Sequence, residues 1–143
     1  MNQLKLLFKP ACVCFLIAAT FFGCKPTIAL YDANAYSQAV SIKVDLDNLA
    51  DTSSTVEYST ALPLINQVTA EIQKAMEYND GREKNTESTQ QYQLLISRFL
   101  TPFLDTWKTQ TKISAGAVAE YKMNFGRAMD EIIKLENGKN KSS

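Results

Sequence analysis

The sequence predicts an all-α fold, a small antiparallel helical bundle of about four helices, and three observations predict it. From Asp32 onward the apolar residues recur at spacings of three and four, and no stretch alternates in the manner of a strand. Three polar breaks, at Asp51–Ser54, Asn79–Ser88 and Lys108–Ser114, divide that pattern into four pieces. The composition is globular, with 45% hydrophobic and 21% charged residues in 143, enough chain for one core and too little for two.

Each helix has its own signals. Asp32 or Asn34 can cap the first, whose stripe is Tyr36, Ala39, Val40, Ile42, Val44, Leu46 and Leu49. The second covers residues 56–79 through Leu62, Ile65, Val68, Ile72, Ala75 and Met76. Pro63 either lies in its first turn, with the helix starting near Thr60, or kinks a longer helix. Asp80-Gly81 marks a turn, and the apolar-free stretch that follows reads as a solvated loop. Ser88 and Gln91 have capping-box spacing for a third helix, with Tyr92, Leu95, Ile96, Phe99, Leu100, Phe103 and Trp107 on one face. Pro102 is expected to break or kink it. Ser114 can cap a fourth helix carrying Val118, Tyr121, Phe125, Ala128, Met129, Ile132 and Leu135, with Gly138 at its end and a solvated tail beyond.

Absences exclude several kinds of chemistry. The chain contains no histidine, so it has no imidazole for a catalytic triad or a metal. All three cysteines fall in the first 24 residues, which removes disulfide frameworks and thiolate zinc sites from the body. Basic and acidic residues number 15 each, and removing Lys5 and Lys9 with residues 1–23 leaves 13 against 15, a poor match to nucleic acid. Asp45, Asp47 and Asp51 fail as an EF-hand loop, because Ala50 and Val56 stand where glycine and glutamate are needed. No metal, cofactor or catalytic residue is implied.

The first 24 residues have a different organisation. Lys5 and Lys9 make a positive start, residues 11–22 (ACVCFLIAATFF) form an apolar run, and Gly23-Cys24 closes it. Twelve apolar residues span only about 18 Å as a helix, short of a ~30 Å hydrocarbon core, which fits a secretory leader rather than a membrane span. The Phe21-Phe22-Gly23-Cys24 junction resembles the lipobox of bacterial lipoproteins, in which a peptidase cleaves before a cysteine that is then lipidated. Gly23 and Cys24 match that pattern, whereas Phe21 stands where leucine is usual and Phe22 where a small residue is common.

The resemblance implies a cleaved leader over 1–23, acyl chains on Cys24, and a short tether over 24–31 ahead of a bundle over 32–137 and a tail over 138–143. Stable anchoring takes more than one acyl chain, which a di- or triacylated cysteine provides. From Lys25 to Tyr31 the tether reaches at most about 25 Å. Lys25 after the cysteine is not the aspartate that retains lipoproteins at an inner membrane, which in a Gram-negative host implies the periplasmic face of the outer membrane.

For the body, the expectation is a non-enzymatic binding or structural module with an envelope protein as partner. The alternative is a carrier for a small apolar ligand held between the third and fourth helices. Phe99, Phe103 and Trp107, spaced by four, are the candidate contacts for a ligand or partner, though such spacing more often marks a core. Gly126 suggests a close helix approach or an exposed, tolerated glycine. The acidic residues of the last helix, Glu120, Asp130, Glu131 and Glu136, read as largely on its polar side.

Overall fold

A computed structural model describes residues 29–139. The leader, Cys24 and residues 140–143 lie outside the described residues. The described chain is helical, with α1 over Ala33–Thr55, α2 over Leu62–Asp80, α3 over Thr86–Leu94, a π-helical turn over Leu95–Leu100, α4 over Thr101–Gln110 and α5 over Ala115–Gly138. Because α3, the π turn and α4 follow without a break, the architecture is four antiparallel rods. They pack as a ring: α1 lies against α2 and α5, and α3 lies against α2 and α5.

Asp32 starts α1 as a true cap, its Oδ1 accepting from the N–H groups of Asn34 (2.8 Å) and Ala35 (3.0 Å). On α1 the inward face is Ala35, Ala39, Ile42, Leu46, Leu49, Ala50 and Ser53. Val40 and Val44, placed on the core stripe from the sequence, are instead 38% and 54% exposed, because a 3.6-residue period carries them round the helix. Pro63 lies in the first turn of α2, where its missing N–H costs no hydrogen bond. Gly126 has open space where a Cβ would be, so it serves no close approach.

Pro102 does not break the third rod, which stays helical through it. It sits in the first turn of α4, directly after the π turn. A proline inside a regular α-helix clashes with the carbonyl four residues back, and widening the turn before it relieves that clash while the rod continues. The far end of the ring is closed by two backbone bonds, Ile113 N–H to Ser53 C=O (2.9 Å) and Tyr58 N–H to Thr111 C=O (3.3 Å). Near it lies an aromatic cluster, in which Phe103 meets Trp107, Tyr121 and Phe125 at ring distances of 5.7, 5.0 and 5.3 Å.

Among the described residues no helix is long and apolar enough to cross a membrane.

Candidate functional site

The apolar stripes of α2, α3 and α5 all run toward the end of the bundle where the chain enters and leaves. Each stripe finishes on a polar residue. On α2 the series Ile65, Val68, Ile72, Ala75 continues to Asn79, and on α5 the series Phe125, Met129, Ile132 continues to Glu136. On α3 the series Leu95, Tyr92 runs back to Ser88, with Asn85 one turn earlier. These positions are withdrawn from solvent by the same periodicity that buries their apolar neighbours, so they satisfy one another.

Glu136 is the hub. Its Oε1 accepts from the Ser88 hydroxyl at 2.6 Å and from the Lys139 ammonium, and its Oε2 accepts from Arg82 at 3.3 Å. Lys139 also donates to Ser88 Oγ (2.9 Å) and to Asn85 Oδ1. The Asn85 amide donates to Asn79 Oδ1 (2.6 Å) and to the Asn79 carbonyl (3.1 Å), and the Asn79 amide donates to the Ala75 carbonyl (2.8 Å). Burial pulls the Lys139 ammonium below the ordinary lysine value, although the hydrogen bond and charge of Glu136 pull the other way.

Arg82 carries the cluster outward to the entering chain. Its guanidinium donates to the Leu30 carbonyl (2.5 Å) and approaches Asp32 Oδ2 at 3.8 Å, which also accepts from the Tyr78 hydroxyl at 2.7 Å. Ala29 N–H donates to the Lys84 carbonyl at 3.1 Å, and the Ala29 side chain is buried. Burial works to raise the Asp32 carboxyl, yet the Ala35 N–H, the Tyr78 hydroxyl, the Arg82 charge and the Asn34 N–H together hold it below 3.8.

The arrangement is a clasp. It joins the entering chain, the α2–α3 loop and the end of α5, and its groups are committed to one another. The Lys139 ammonium has three acceptors within hydrogen-bond distance, and the Ser88 hydroxyl donates to Glu136 at zero solvent exposure. Lys139 is therefore not a free base, and Ser88 is not an accessible nucleophile. Tyr92 packs beside the cluster with its hydroxyl buried and without a hydrogen-bond partner among the described residues; burial, and then the Glu136 charge, push that phenol up.

Several sequence expectations change here. Glu136 lies on the buried face of α5 rather than its polar side, and Lys139 is 6% exposed rather than part of a solvated tail. Asn79, Asn85 and Ser88, read as a solvated loop, are buried. Ser88 does not make a capping box, since α3 starts at Thr86 and the Ser88 hydroxyl turns to Glu136. For Asn79, Ser88 and Glu136 the signal is in the sequence: each extends an apolar stripe by four residues, from Ala75, Tyr92 and Ile132.

The other candidates are placed as follows. Phe103 and Trp107 are fully buried in the core, Phe99 packs partly buried against it, and the Trp107 indole donates to the Val56 carbonyl at 3.1 Å. The groove between α3 and α5, about 410 Å³, is lined instead by polar and charged groups such as Lys84, Gln91, Glu131 and Lys134. The three aspartates of α1 diverge. Asp47 and Asp51 pair with Lys122 of α5 at 3.1 and 2.7 Å, while Asp45 faces Glu71 of α2. Burial, then Glu71, raises the Asp45 carboxyl. No group of three metal-ligating side chains is found among the described residues.

Comparison of the chain with known protein families, curated proteins and solved structures gives no match.

Proposed function

We propose that this chain is a lipoprotein of the bacterial envelope, cleaved before Cys24 and held by acyl chains on that residue. Its helical body is a non-enzymatic binding or structural module. The observation that carries the reading is the junction itself: a twelve-residue apolar run behind two lysines, ended by Gly23-Cys24, with no cysteine in the remaining 119 residues, 25–143. An apolar run that short does not make a stable span, and a lipidated cysteine replaces it as the anchor.

Supporting this are the clasp, which fastens the entering chain to the bundle, and the commitment of Ser88, Lys139 and Glu136 to one another rather than to a substrate. Lys25 favours the periplasmic face of an outer membrane, and the partner is another envelope protein. The test is fractionation with a Cys24→Ser variant in the native host. The wild type is expected in the membrane fraction and extracted by detergent but not by high salt. The variant is expected as an uncleaved precursor or in the soluble fraction, and equal membrane retention of a cleaved variant overturns the proposal.

A further inference from the structure

The clasp determines where the tether ends, and thereby which part of the bundle meets lipid. Ala29 is already fastened to Lys84, and the Leu30 carbonyl to Arg82. Only five Cα steps therefore separate Cys24 from the folded body, at most about 18 Å of chain. The 23 residues of α1 run for about 34 Å from that end to the other. An anchor on Cys24 thus holds the Ala29 end against the bilayer, whereas the Trp107–Val56 end is free to stand a full helix length away.

At the Ala29 end three side chains suit an interface. Leu30 is 48% exposed and Tyr78 is 37% exposed, although both are large and apolar in part. Tyr31 lies beside Leu30, half-buried, with its ring 6.4 Å from that of Tyr36. Tyrosine places an apolar ring and a polar hydroxyl together, the combination that collects at the headgroup level of membranes. The flanks also expose apolar side chains, such as Val44 and Met123, but they lie along the rods and not at the tethered end. On the α1–α5 side the flanks carry the ion pairs of Lys43 with Asp130 and of Lys122 with Asp47 and Asp51.

We infer that Leu30, Tyr31 and Tyr78 form a rim that seats on the lipid headgroups, with the bundle standing on that end. The inference rests on the lipid anchor proposed above and adds the contacting surface to it. The far end, around Tyr58 and Ile113, is then the part presented to the rest of the envelope.

Trp107 is the only tryptophan, so the far end carries a natural probe. The full-length protein, purified from membranes with the mass of its Cys24 peptide recorded, is placed in phosphatidylcholine–phosphatidylglycerol vesicles. A share of the lipid is brominated high on the acyl chains, and a Leu30→Trp variant is treated in parallel. Wild-type emission is expected to be unaffected by the bromine, while the variant loses roughly half of its emission, the share of an indole held at the interface. Quenching of Trp107 to the same extent, or of neither indole, with Cys24 acylated, overturns the rim and leaves the anchor standing. An unmodified Cys24 overturns the anchor, and the rim with it.

Discussion

Glu136 and Lys139 lie one turn apart at the end of α5 and form an ion pair inside the protein, their side chains 0% and 5% exposed. Placing two charges there costs desolvation, and the cost is met by sharing Glu136 among Lys139, Ser88 and Arg82. Removing the carboxylate leaves the most behind. Glu136→Leu is expected to lose about 3–5 kcal/mol, because it strands a buried ammonium. Lys139→Met costs less, since Arg82 still faces Glu136, and combining the two recovers most of the loss. Urea midpoints measure all three, and an unchanged midpoint for Glu136→Leu contradicts the cluster as described.

Asp32 sets the acid limb of stability. Its carboxyl is held below 3.8, so the folded state binds its proton less readily than the unfolded chain. That contribution is fully present above 3.8 and is lost as the pH falls through the lowered value. Asp32→Asn keeps a residue able to cap α1 but not the charge opposite Arg82. The variant is expected to be about 1–2 kcal/mol less stable at neutral pH and to converge with the wild type in acid. A constant difference across pH 7 to 2 in denaturation curves contradicts the assignment.

Tyr92 is buried, and its hydroxyl has no hydrogen-bond partner among the described residues. Tyr92→Phe removes a desolvated polar atom without changing the ring, so the variant is expected to match or exceed wild-type stability by about 1 kcal/mol. A loss larger than that means the hydroxyl has a partner, with Glu136 the first to examine.

The π turn before Pro102 holds one residue more than a regular turn would. Deleting the exposed Ser97 is therefore expected to return the third rod to regular α-helix while Leu95 and Phe103 keep their places. Deleting the exposed Lys74 from regular α2 shifts every later stripe residue by about 100° and is expected to abolish folding. Circular dichroism melts compare the two deletions. Equal damage from both contradicts the account of the π turn.

Most of the fold is legible in the sequence for one reason: the rods are ordinary amphipathic helices, and Asp32, Pro63 and Ser114 are among the start signals it offers. The four-residue spacing of Phe103 and Trp107 marks a core, and both rings are buried, Phe103 against Phe125 of α5. The clasp is hidden in the sequence by the polarity of Asn79, Ser88 and Glu136, which are buried by position. A stripe that continues in phase buries whatever residue comes next, and three such stripes meeting at one end form a satisfied cluster. At Pro102 the sequence offers only a break or a kink, whereas the helix continues through it by way of a π turn.

The central claim is a lipid anchor on Cys24 at the foot of this clasped bundle. Intact mass of the N-terminal peptide, taken from the protein in its native membrane beside a Cys24→Ser variant, tests it most directly. The account predicts a peptide that begins at Cys24 and carries diacylglycerol, with or without an N-acyl chain, and that is absent from the variant. A peptide that retains Met1, or one that begins at or after Cys24 without lipid, contradicts it.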